Sequence, residues 1–221
     1  MTTTGPSPRL YLELAAGDGA ASRLEAALAA APVGAVLLQL PASGEAASTA
    51  LRALVTQAQD RSVAALIAND TKLARALGAD GVHIAWCTDV AEAYAAARIA
   101  LGPRAIVGAE AGRSRHDAMT LAESGADYIA FPRTAPASPE APADLEWLDL
   151  VGWWAEVFEV PCVALGVTSP AEALACAAAN AEFIGMPIKP GETAETVAGR
   201  VRAFHAALTP YPTASLQRGR Q

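Results

Sequence analysis

Short apolar runs alternate with longer Ala-rich stretches along the whole chain. The runs fall at 10–15, 35–40, 63–68, 81–85, 105–109, 128–131, 162–166 and 183–186. Each is almost continuously apolar, the pattern of a parallel strand buried on both faces. Helical patterns fill the intervals at 20–31, 45–60, 71–77, 90–101, 114–124, 145–159, 169–180 and 193–208. Gly34, Gly78, Gly102-Pro103, Gly125, Pro161 and Pro190-Gly191 punctuate the boundaries. Eight βα units in one domain-sized chain predict an α/β fold, a single-domain (β/α)8 TIM barrel. A doubly wound open sheet is the alternative, because one sequence does not reveal strand order.

An internal similarity supports the unit count. Leu77-Gly78-Ala79-Asp80-Gly81-Val82-His83-Ile84 matches Ser124-Gly125-Ala126-Asp127-Tyr128-Ile129-Ala130-Phe131, and 179–186 is a weaker third copy. Each copy ends a helix with Gly or Asn, the usual left-handed cap, and then starts a strand. The acidic residue precedes the strand, on the stability face of a barrel, so it reads as turn chemistry.

Residues 1–8 are expected to form a disordered arm, 9–208 the barrel and 209–221 a polar tail. Residues 132–142 carry Pro132, Pro136, Pro139 and Pro142 and read as an irregular loop on the active-site face. Alanine supplies about a quarter of the 221 residues, which favours close-packed helices over an all-β protein. A formal net charge of −7 argues against a general nucleic-acid binder. Cys87, Cys162 and Cys176 form no CxxC pair and no even-numbered framework. With no signal-peptide pattern and no apolar run of about 18 residues, the expected setting is cytoplasmic and away from membranes. Of the 16 cationic residues only Lys72 and Lys189 are lysines.

No P-loop, GxGxxG, GxSxG or HExxH motif is present. In a barrel the chemistry lies at the C-terminal ends of the strands. Those positions hold Gln39, then Asn69-Asp70, then His83 with Trp86 and Asp89, then Glu110, Arg133, Gly166 and Lys189. Asn69-Asp70 suits a Mg²⁺ ion holding substrate phosphates, or equally a helix cap before Thr71. Gly166, opening onto Thr168 and Ser169, suits backbone phosphate binding or an ordinary capped turn. Ser114 reads as a cap, His83 as a packed histidine, and Trp147, Trp153 and Trp154 as packing residues.

Four segments, Ala68-Asn69-Asp70, 78–84, 125–129 and Val163-Ala164-Leu165-Gly166, resemble in order the motifs of the thiamine-phosphate synthase and TenI-type superfamily. The match runs over roughly residues 9–207. The resemblance implies a TIM barrel. It also implies a Mg²⁺-assisted reaction in which a thiazole phosphate displaces pyrophosphate from a hydroxymethylpyrimidine diphosphate. A phosphorylated small molecule is then the partner, and family precedent suggests a homo-oligomer.

Carried over position by position, the resemblance assigns catalytic roles to Gln39 and Asn69, with Arg133 expected to act beside them as a compensating cation. It implies metal binding by Asp70, with the nearby Asp89 as a substitute second ligand, and phosphate binding by Gly166 and Val167, with Arg113 and Lys189 as relocated cations. The pattern also departs from the family. The two cations expected after Gln39 are absent, and Thr88 stands where the second metal ligand belongs, with Asp89 one residue late. Spacing from Asp127 puts Ala111 at the family's Ser and Arg113 at its His. The Thr-x-Thr-Lys clamp reads Ala137-Ser138-Pro139-Glu140, which Arg133 would offset. Val167 replaces a second Gly, and Pro187 removes a backbone donor. The primary expectation is a barrel with a degraded site that binds a phosphorylated ligand. A genuine synthase with relocated cations and a non-catalytic scaffold or regulatory protein are the alternatives.

Overall fold

The computed structural model describes residues 7–40, 45–133 and 143–209. Most of the expected arm and tail, and the 137–140 stretch, lie outside the described residues. Strands and helices alternate strictly: β1 (Arg9–Ala15), α1 (Ala20–Ala30), β2 (Val33–Gln39), α2 (Glu45–Gln59), β3 (Ala64–Ala68), α3 (Thr71–Leu77), β4 (Gly81–Ile84) and α4 (Val90–Leu101). The second half continues with β5 (Ile106–Glu110), α5 (Arg115–Glu123), β6 (Ile129–Pro132), α6 (Ala143–Val157), β7 (Cys162–Leu165), α7 (Pro170–Ala178), β8 (Phe183–Ile188) and α8 (Ala194–Leu208). Every neighbouring strand pair is parallel, and β8 returns to β1, closing the barrel. The open doubly wound sheet is thereby excluded.

Element ends shift by only a few residues from the sequence pattern. β8 runs through Pro187 to Ile188, because pairing with β1 continues to Leu14↔Ile188. β2 stops at Gln39, and Leu40 is exposed.

The two-residue period of the strands separates two cores. On β1, Leu10, Leu12 and Leu14 pack toward the helices, while Tyr11 belongs to a second cluster with Leu37, Leu66, Tyr128 and Leu165. That second cluster fills the barrel lumen, as expected of a packed interior rather than a pore. Tyrosines and cysteines aside, of the described residues only Arg23 and His83 are both polar or charged and buried.

The repeated acidic residues tie the stability face together. Asp80 accepts the Ala65 N–H on β3 at 2.8 Å, Asp127 the Val107 N–H on β5 at 2.7 Å, and Glu182 the Cys162 N–H on β7 at 2.9 Å. Each caps the strand before its own, and Gly78, Gly125 and Asn180 supply the preceding left-handed turns. Asp127 also pairs with Arg98 at 2.6 Å. Asp127→Ala leaves the Val107 N–H without its partner. It is expected to destabilise the fold by about 1–3 kcal/mol in chemical denaturation. An unchanged midpoint would show that solvent replaces the carboxylate at no cost.

Candidate active site

The mouth at the C-terminal ends of the strands divides into two halves. In the first, Gln39, Asn69, Asp70, His83, Ala85 and Glu110, from the ends of β2 to β5, line one cavity of about 410 Å³. Asn69 adopts φ +56°, a conformation that Asn tolerates better than most residues. Its side-chain oxygen accepts the Ala85 N–H at 2.8 Å, which leaves the amide NH₂ as the available donor. Asp70 caps α3: one oxygen accepts the Leu73 N–H at 2.8 Å, and among the described residues the other takes no hydrogen bond. Site and cap roles therefore coexist on one residue. Asp89 stands at the N-cap of α4 with no side-chain capping bond, and is exposed.

The second half, at β6 to β8, is occupied by the chain's own hydrogen bonds. The Gly166 N–H donates to Glu13 Oε1 at 2.9 Å and the Val167 N–H to the Gly185 carbonyl at 2.8 Å. The Thr168 and Ser169 N–H groups both donate to Glu172, which completes a capping box on α7. Arg133 reaches the same Glu172 at 2.8 Å, Arg113 pairs with Glu146, and Lys189 is exposed. Burial would raise the Glu172 pKa, but the Thr168 and Arg133 hydrogen bonds outweigh it, and the carboxyl titrates below its ordinary value. The structure thus gathers Gln39, Asn69 and Asp70 around one cavity that Arg113, Arg133, Gly166, Val167 and Lys189 do not line.

Between the halves runs a hydrogen-bond chain through the lumen. Tyr11 and Tyr128 share a bond of 3.0 Å, the Tyr128 hydroxyl meets His83 Nδ1 at 2.8 Å, and His83 Nε2 meets Glu110 Oε1 at 3.1 Å. Glu110 Oε2 accepts the backbone N–H of Trp86 at 3.0 Å. For a neutral imidazole, Nε2–H donates to Glu110 and Nδ1 accepts from Tyr128. Burial would raise the Glu110 pKa, yet His83 and the Trp86 N–H bring it below its ordinary value. Gly108 makes the chain possible, because a Cβ there would lie 2.0 Å from the Tyr128 ring. His83 is the packed histidine read from the sequence, and it is also the link to Glu110. Glu13, Tyr11 and Tyr128 were not singled out as site residues, although a carboxylate inside the apolar run of β1 was a visible signal.

Glu13 shows the opposite balance. Desolvation raises its pKa more than the Gly166 N–H and His83 lower it, and Glu110 raises it further. A folded-state pKa above the unfolded one favours folding fully at low pH, and that contribution is lost as pH rises through the folded value. Glu13→Gln keeps an oxygen for the Gly166 N–H and removes the titration. Relative to the parent protein it is expected to gain thermal stability between pH 4 and pH 7 in a melting series. A difference that does not vary with pH would show that Glu13 ionises normally in the fold.

Comparison with known proteins identifies the family of this chain. Residues 10–187 match the family described as thiamine monophosphate synthase. The thiamine-phosphate synthase of Hyphomonas neptunium is 36% identical over 92% of this chain and 96% of its own length. That of Rhodospirillum centenum is 37% identical over 75% of this chain and 79% of its own. Among solved structures, thiamine phosphate pyrophosphorylase from Pyrococcus furiosus superposes with a TM-score of 0.73, covering 92% of this chain and 96% of that one, at 17% identity. That last likeness bears on the fold alone. The barrel closure, the match over residues 10–187 and a relative aligned over nearly its full length together make the chain a member of the thiamine monophosphate synthase (TMP-TENI) family.

Proposed function

We propose that the protein is a thiamine-phosphate synthase, joining a hydroxymethylpyrimidine diphosphate to a thiazole phosphate with loss of pyrophosphate. The observation that carries this reading is the mouth cavity, where the retained Gln39, Asn69 and Asp70 share one wall. The 36% identity to a synthase over nearly the whole chain supports it. The Asn69 amide and Gln39 would hold the diphosphate and orient its scissile bond. Arg133 and Arg113 would exchange their carboxylate partners, Glu172 and Glu146, for substrate phosphates. Gly166, Val167 and Lys189 would line the phosphate end.

The donor set suits Mg²⁺. Asp70 keeps one carboxylate oxygen without a hydrogen bond among the described residues, and Asp89, on the next βα loop, is exposed and makes no capping bond. Mg²⁺ is typically held by one or two carboxylates plus substrate phosphates. When bound it would neutralise charge that gathers on the departing pyrophosphate. No helix among the described residues is long and apolar enough to cross a membrane.

A second reading, a family member that binds phosphorylated ligands without efficient turnover, draws on one observation. The backbone donors after β7 are already held by Glu13, Gly185 and Glu172. The two readings separate in one assay. The purified chain, given both substrates and Mg²⁺, is expected to form thiamine phosphate. Chelation should stop it, and Asp70→Ala should slow it by about 100-fold or more. Absence of product, with phosphorylated ligands still raising the melting temperature, would favour the second reading.

A further inference from the structure

The mouth carries a carboxylate and an indole that the diphosphate and metal chemistry leaves unused. Glu110 closes β5 and lines the cavity shared with Asn69 and Asp70. Its side chain is 18% exposed, and both oxygens are engaged, one by His83 and one by the backbone N–H of Trp86. It is therefore oriented and only partly hydrated. Its hydrogen bonds stabilise the ionised form. An anion fixed in this way repels a diphosphate and attracts a cation.

Trp86 adds to the same preference. It is 52% exposed at the mouth and lines an adjoining cavity that shares Asn69 and Ala85 with the first. Its indole lies against Gly112, where a Cβ would come within 2.8 Å of the ring. Gly112 has φ +56°, so the tight turn and the absent side chain together seat the indole. Glu110 and Trp86 thus line adjoining cavities, and each favours a cation, the carboxylate by its charge and the indole by its ring quadrupole.

The proposed reaction creates such a cation. The bond from the pyrimidine methylene carbon to the diphosphate oxygen breaks, and pyrophosphate leaves with the electron pair. The thiazole nitrogen lone pair forms the new C–N bond, and that nitrogen becomes a thiazolium. No proton is gained or lost. We propose that Glu110 and Trp86 hold the heterocycle end of the mouth and stabilise the positive charge as it forms on the thiazolium. His83 and Tyr128 are positioning residues that aim the Glu110 carboxylate. The inference rests on the synthase reading and adds to it the group that meets the cation.

The test pairs kinetics with binding. In the full-length protein, Glu110→Gln is expected to lower kcat by about 10–100-fold with KM changed by less than about threefold, the pattern of an interaction made only as charge develops. Calorimetry then compares thiamine phosphate with a neutral isostere in which a thiophene replaces the thiazolium. The parent protein is expected to prefer the cation by about tenfold or more, and Glu110→Gln to reduce that preference to near parity. Trp86→Ala, at an exposed position, is expected to weaken the preference and Trp86→Phe to retain part of it, whether or not the Glu110 variant folds. A parent protein that forms thiamine phosphate, with Glu110 and Trp86 variants that match it in turnover and preference, would overturn the inference and leave the synthase reading intact. No turnover but a cation preference that Glu110→Gln abolishes would retain the cation site and reject the synthase reading. No product and no discrimination between the two ligands would reject both.

Discussion

A polar chain through an apolar lumen constrains much of this molecule. A buried hydroxyl or imidazole without a partner costs more than a hydrogen bond usually contributes, so every group in the series must be met. Tyr11 meets Tyr128, Tyr128 meets His83, His83 meets Glu110, and Glu110 meets the Trp86 N–H. The series draws on β1, β4, β5 and the residue just before β6, so it forms only when the barrel has closed in the right register. It also fixes the direction of a carboxylate at the mouth. Structural satisfaction and the placing of a charge are here one requirement.

The same economy appears at the helix ends. Asp70 caps α3 and still presents an oxygen to the mouth, so capping does not compete with ligand binding there. Glu172 behaves differently. It takes the Thr168 and Ser169 N–H groups and the Arg133 guanidinium, so these donors are already met by a carboxylate of the chain itself. The two halves of the mouth consequently differ in character. The β2 to β5 half has polar side chains around open volume, and the β6 to β8 half has its backbone donors after β7 and its Arg133 guanidinium already partnered.

Much of the site was readable once the strands were placed, because a barrel concentrates chemistry at strand C-termini. Asn69 and Asp70 stood out as an amide and a carboxylate ending an apolar run. Glu110 was visible at the end of β5, but nothing in the linear sequence connected it to His83, 27 positions away. The repeated Gly-Ala-Asp segments read correctly as turn chemistry. Which N–H each acid would accept was beyond the sequence, since Asp127 reaches back 20 positions to β5. The pairing of Arg133 with Glu172 was equally hidden: it needs the ends of β6 and β7 side by side.

The alternation of apolar runs and Ala-rich helices determined eight βα units by itself, because a parallel strand buried on both faces reads as a continuous apolar run, whether the sheet is open or closed. It also located caps and turns, since their chemistry is local. Only the tertiary structure decided that the sheet closes, that Tyr11 faces the lumen while Leu10 and Leu12 face the helices, and which of the mouth's polar groups remain available. Closure depends on β8 meeting β1 across the whole length of the chain. Availability depends on partners drawn from other strands, and neither is encoded in any single stretch of residues.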